Sequence, residues 1–204
     1  MKHRIDTIEQ LEALYPRKPV VASTGKETAV ITPHYKRLIE ACPFAVVASE
    51  GPEGLDASPR GDGPGFIRIL DDTTLALPDR RGNNRLDTLR NILRTGRVAL
   101  LAMIPGWNET LRINGNAHIS TDPQISASMA ERGVVPTSAI IITIETMYFQ
   151  CARALVRSKL WDSDSQINRK DLPSAGDLLH EVMQDFDGKA YDKDLPARQA
   201  KTLY

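Results

Sequence analysis

Apolar residues recur at helical spacing through the first forty positions, and then the period changes. Thr7 with Gln10 makes a capping-box pattern ahead of Ile8, Leu11 and Leu14. Thr32-Pro33 joins an N-cap to a proline at the first helical position. Tyr35, Leu38, Ile39 and Cys42 follow at i, i+3, i+4 and i+7, and Pro43 stops the helix. From residue 44 to about 150 short strands take over. FAVVAS (44–49) is a continuous apolar run, Leu55–Ser58 pairs back on it as a hairpin, and GFIRIL (65–70) and TTLALP (73–78) flank the Asp71-Asp72 turn. RVALLAMI (97–104), ETLRINGNAHIS (109–120) and TSAIIITIETMYF (137–149) complete the set. In the second of these Leu111, Ile113, Ala117 and Ile119 face one way, and Arg112, Asn114, Asn116 and His118 the other.

Helical spacing returns in three places. RLDTLRNILR (85–94) puts Leu86, Leu89 and Leu93 on one face, with Gly96 as its stop. Asp122-Pro123 opens a second helix with Ile125 and Met129 inward. CARALVRSKLW (151–161) reads as either a short helix or an irregular arm. Ser174 with Asp177 caps a terminal helix carrying Leu178, Leu179, Val182, Met183 and Phe186. Many short strands joined by tight turns predict a mainly β protein with flanking helices, an α+β arrangement around an antiparallel closed sheet or barrel. The expected organisation is one domain over residues 1–204: a helical extension (1–43), the barrel (44–150), and an arm with a helix (151–204).

Composition removes several classes. With 41% hydrophobic and 25% charged residues in 204, wholesale disorder is excluded. Lys and Arg total 26, as do Asp and Glu, so the surplus that nucleic-acid phosphates demand is missing. No apolar run approaches a bilayer span, and MKHRIDTIEQLEALYPRKP does not read as a signal peptide. Cys42 and Cys151 are too few and too far apart for a disulfide framework or a metal site. The expectation is a cytoplasmic protein with reduced thiols, no metal, no membrane and no nucleic-acid partner.

Two segments carry candidate chemistry. In PDRRGNNRLDTLRNIL (78–93) a strand ends, a loop with Gly82, Asn83 and Asn84 follows, and a helix begins near Asn84 or Arg85. Unpaired N–H groups at such a helix start, with Arg80, Arg81 and Arg85 in the loop and Arg90 one turn on, suit a phosphate monoester. The same pattern also fits an ordinary capped surface helix. SPRGDGPG (58–65) ends another strand in a Gly/Pro-rich loop that lets backbone approach a flat ligand, with Arg60 as a planar donor. It also fits a simple turn. No Ser/His/Asp set, HExxH or paired-carboxylate signature is present.

A strand ending in SPRGD, another ending in PDRRGNNR, the helix LDTLRNIL, and the strands VALLAMIPG and ETLRINGNAHIS follow one another in a familiar order. Over roughly residues 40–160 this resembles the pyridoxamine 5'-phosphate oxidase-like family of FMN-binding split barrels. The resemblance implies a six-stranded, Greek-key-like split barrel, a homodimer, and FMN at the subunit interface. It places Arg60 at the isoalloxazine edge with Ser58, Gly61 and Asp62 around it, and Asp79 at the end of the strand beneath the flavin. It implies that Asn83, Asn84 and Arg85 form the phosphate-binding turn, and that Thr110 reaches the flavin from the second subunit. Glu109-Thr110 replace the family's usual Arg-Gln, and the chain ends LPARQAKTLY rather than in an Arg-Leu-x-Pro tail. If the 151–161 arm folds over the flavin, Arg157, Lys159 and Trp161 shape a substrate pocket; the alternative is a helix that packs on the barrel. The function implied is an FMN-dependent oxidoreductase that moves hydride at the flavin to or from a small molecule. The alternatives are a flavin-binding module without turnover and, further off, a barrel adaptor with no cofactor.

Overall fold

Helix signals near the start of the chain act locally, as a computed structural model describing residues 3–204 makes plain. Thr7 accepts a bond from the Gln10 amide and caps α1 (Ile8–Leu14), while Gln10 Oε1 accepts from the amide of Asp6. No residue of α1 is buried, so its apolar spacing forms a helix without seating it on the core. A single turn, α2 (Val21–Thr24), precedes α3 (Pro33–Ala41), which Thr32 caps. Ile39 of α3 is fully buried, with Tyr35 and Leu38 packed against the core.

Seven strands follow: β1 (Phe44–Gly51), β2 (Gly54–Gly61), β3 (Arg68–Asp71), β4 (Thr74–Asp79), β5 (Arg97–Met103), β6 (Thr110–Ser120) and β7 (Ser138–Gln150). All pairings are antiparallel, in the order β2-β1-β5-β6-β7-β4-β3. β2 and β3 form the two edges, so the sheet is a split barrel rather than a closed one, and it has seven strands where the resemblance implied six. Alternate side chains of the central strands, among them Val47, Leu75, Leu100, Ile113 and Ile142, make one buried cluster. The alternation read from β6 holds: Leu111, Ile113 and Ala117 are buried, and Asn116 and His118 are exposed. β7 bulges at Glu145 opposite the step from Asn114 to Gly115, where a Cβ on Gly115 would meet the Thr143 carbonyl oxygen at 2.1 Å, so only glycine fits.

Four details depart from the sequence reading. SPRG is not a loop: Ser58, Pro59 and Arg60 lie in β2 opposite Val47, Val46 and Ala45. An edge strand tolerates Pro59 because its missing donor faces away from the ladder. GFIRIL starts its strand only at Arg68, although Phe66 and Ile67 are buried before it. The helix predicted over 85–94 is α4 (Asp87–Thr95), and it buries Thr88, Asn91 and Ile92 while Leu86 and Leu93 are exposed. Polar partners on β1 explain the rotated face: Asn91 donates to Ser49 Oγ at 3.2 Å, and Thr95 Oγ1 donates to the Glu50 carbonyl at 2.8 Å.

After β6, Asp122 caps α5 (Pro123–Ser128), and Met129 is buried beyond it. The 151–161 arm contains the short helix α6 (Arg153–Ser158), followed by two turns of tighter helix at Ser163–Ser165 and Arg169–Asp171. The Ser174–Asp177 capping box opens α7 (Ala175–Val182). That helix ends before Phe186, and a helix absent from the sequence reading, α8 (Gly188–Thr202), packs on it. A Cβ on Gly176 would stand 2.1 Å from the Gly188 carbonyl oxygen, which is how closely the two helices approach. Among the described residues no helix is long and apolar enough to cross a membrane.

Candidate ligand cleft

The far end of β2, the end of β4, the 80–86 loop and the first turn of α4 surround one cleft of about 1070 Å³. Residues 134–138 ahead of β7 and Leu203–Tyr204 after α8 close its other side. That volume lies just above the roughly 300–1,000 Å³ usual for small-molecule sites. Of the residues singled out in the sequence, Ser58, Arg60, Gly61, Asp79, Asn83, Asn84 and Arg85 all line it. The two segments that carried candidate chemistry thus meet in space.

Successive side chains of a strand alternate faces, so Asp56, Ser58 and Arg60 share one side of β2 and all border the cleft. Ser58 Oγ donates to the two Asp56 oxygens at 3.0 and 3.1 Å. Buried Thr88 of α4 donates to Asp56 Oδ2 at 2.5 Å and accepts from Arg60 Nη2 at 3.3 Å. Arg60 Nη1 donates to the Pro59 carbonyl at 3.1 Å, while its Nε is buried with no partner. Burial pushes the Asp79 carboxyl above its ordinary value, and the charge of Arg60 pulls it partly back.

Asp62 does not line this cleft. Arg80 Nε and Nη2 both donate to its Oδ2 at 2.8 Å, and the Gly63 amide and the Tyr204 hydroxyl donate to its Oδ1 at 2.9 Å each. Burial pushes this carboxyl up, but those donors and the charge of Arg80 outweigh it and hold it below the usual value. Asp62 is therefore a brace that fixes Arg80 and draws Tyr204 onto the cleft wall. With that full set of donors Asp62 is bonded within the chain, outside the cleft that the other expected loop and strand residues line.

The loop end is built differently. Asn84 and Leu86 adopt left-handed backbone, and Asn83 Oδ1 accepts from the Arg85 amide at 3.1 Å. α4 begins at Asp87, so Arg85 precedes the helix instead of starting it. Leu86 at the N-cap gives no side-chain cap, and Arg85 Nε pairs with Asp87 Oδ2 at 2.7 Å. An acidic residue already faces the positive end of the helix there.

Other expected residues lie apart. Thr110 is buried near Gln150, with its Oγ1 3.5 Å from Gln150 Oε1. Arg157, Lys159 and Trp161 do not border the cleft; Trp161 Nε1 donates to the Trp107 carbonyl at 2.9 Å and ties the arm to the turn between β5 and β6. Cys42 is buried, which raises its thiol, and Cys151 is exposed. Asp56, Thr88 and Tyr204 were missed by sequence reasoning. Two-residue spacing with Ser58 and Arg60 is a signal that could have revealed Asp56.

The family model described as Pyridoxamine 5'-phosphate oxidase matches residues 31–151. The chain belongs to that family. Its members are of a flavin-binding, oxidoreductase-type family. No curated protein matches the chain. Solved structures similar to it include HupZ from Group A Streptococcus (23% identity, 58% of this chain and 93% of that one, TM-score 0.48). Two others are general stress protein 26 from Bacillus anthracis strain Sterne (14%, 56% and 88%, TM-score 0.44) and an F420 reductase (18%, 59% and 98%, TM-score 0.42).

Proposed function

We propose that this family member is an FMN-dependent oxidoreductase whose cleft holds the flavin, acting on a small molecule. The buried, unpartnered Nε of Arg60 carries this reading, because a donor removed from water without an acceptor costs free energy that a ligand acceptor relieves. FMN fits the residues present: Arg60 with Ser58 and Gly61 for the ring, and Asn83, Asn84 and Arg85 with Arg81 for the phosphate. Bound flavin supplies hydride transfer, and the chain supplies binding, orientation and electrostatics. Arg60 is placed to stabilise negative charge on a reduced ring from a partly dry site. Asp79, half-buried beside it, is held nearer neutrality than an exposed carboxylate.

Thr110 is outside the cleft of its own chain, so its expected role belongs to a homodimer in which a second copy supplies it. The polar face of β6 is the candidate contact; on it Arg112 donates to Tyr148 Oη at 3.3 Å and Asn116 bonds Glu145. Light scattering of the flavin-loaded protein tests this, and a monomer with flavin bound refutes it. The oxidoreductase reading is tested by mixing FMN-loaded protein with reduced nicotinamides without oxygen. Bleaching of the flavin band is expected; a flavin that no donor reduces, yet that stays bound, favours the module without turnover.

A further inference from the structure

Thr88 is the second residue of α4 and is buried, yet its side chain faces polar groups on both sides. A threonine hydroxyl has one proton. At 2.5 Å that proton belongs to the bond with the Asp56 carboxylate, which leaves a lone pair for Arg60 Nη2 at 3.3 Å. Ser58 adds its own hydroxyl to Asp56, so donors converge on that carboxylate from Ser58 on one side and from Arg60 through Thr88 on the other, and such linked bonds polarise one another. Among the described residues no carboxylate forms an ion pair with Arg60, in contrast to Arg80 and Arg85. The negative charge of Asp56 thus reaches Arg60 through one hydroxyl, without neutralising it.

We infer that Thr88 is a positioning residue that orients the Arg60 guanidinium, leaving its buried Nε as the free donor to the polar edge of a bound flavin ring. The inference rests on the flavin reading of the cleft. It also joins the two ends of the site: Thr88 follows Asp87, which holds Arg85, so the first turn of α4 touches both arginines. A ring contact and a phosphate contact then share one rigid support.

Thr88→Val keeps the shape and removes the hydroxyl, and Thr88→Ser restores it. Two readouts apply to wild type and both variants: FMN and riboflavin affinity, and hydrogen exchange of the Arg60 Nε–H by heteronuclear NMR in the ligand-free protein. Thr88→Val should weaken both ligands by the same factor, about tenfold, and speed the exchange, while Thr88→Ser stays within about threefold of wild type with slow exchange. A Val variant with unchanged affinity and unchanged exchange overturns the inference, even with a lower melting temperature. So does a Ser variant as weak as Val, which would assign the effect to the lost methyl group. If wild type binds neither FMN nor riboflavin, the flavin reading fails, and the exchange comparison alone still decides whether Thr88 holds Arg60.

Discussion

The cleft holds arginines in opposite states at its two ends. Arg60 stands on a strand, braced by Thr88 and the Pro59 carbonyl, with one buried donor left over. Arg85 stands on a loop, its side chain 74% exposed and already paired with Asp87. Arg80, 17% exposed, is clamped by Asp62 through Nε and Nη2, while its Nη1 stays buried without a partner. The difference teaches where binding free energy resides: the strand end is organised before a ligand arrives, whereas the loop end must exchange one partner for another. Arg85 therefore gains less from a phosphate than its charge alone suggests.

Arg60→Ala breaks the organised end and carries the largest expected effect. FMN and riboflavin should both bind about ten- to a hundredfold more weakly, since a charge-assisted bond to the shared ring is lost. Fluorescence-quenching titrations measure this, and a variant that discriminates between the ligands contradicts it. Arg85→Ala should cost FMN about tenfold and leave riboflavin, which has no phosphate, unchanged. Equal losses for the two ligands would move the phosphate contact to Arg80, whose buried Nη1 has no partner, or to Arg81, because Arg90 does not line the cleft. Asp87→Asn sharpens the contrast by releasing Arg85 from an exposed ion pair. FMN affinity should then rise by a few-fold, in line with roughly 0.2–1 kcal/mol for such pairs, with riboflavin again unchanged.

The smallest effect concerns pH. Asp79 has a raised value in the folded protein, so protonation favours the folded state. Its contribution is complete below the ordinary carboxylate value of 3.8 and is lost as pH rises through the raised folded value. Melting temperatures of the ligand-free protein across that window should fall more steeply for wild type than for Asp79→Asn. Parallel slopes would mean that Asp79 does not titrate differently on folding.

The strand end of the site was legible for a physical reason. Alternation along a strand is local, so β6 could be read from periodicity, and the apolar run over 73–78 placed β4 to within a residue at each end. The β2 face was written in the same code, but the Gly/Pro content of SPRG hid it behind loop chemistry that an edge position tolerates. What sequence could not carry was pairing at a distance. Leucines at 86, 89 and 93 suggested a buried face for α4, yet the helix turns Asn91 toward Ser49, 42 residues away. Tyr204 reaches Asp62 across 142 residues, with no local signal at either end. α8 lacks an apolar stripe altogether, and its approach to α7 depends on glycines at 176 and 188.

The central claim is that this cleft binds FMN by its ring and its phosphate at two separable places. The direct measurement is a titration of ligand-free protein with FMN and with riboflavin, followed by absorbance and repeated with Arg60→Ala and Arg85→Ala. Saturable binding of both flavins by the wild type, weakened for both in the Arg60 variant and for FMN alone in the Arg85 variant, is the predicted result. Wild-type protein that binds neither flavin, an Arg60 variant that discriminates between the two, or an Arg85 variant that weakens both alike would contradict it.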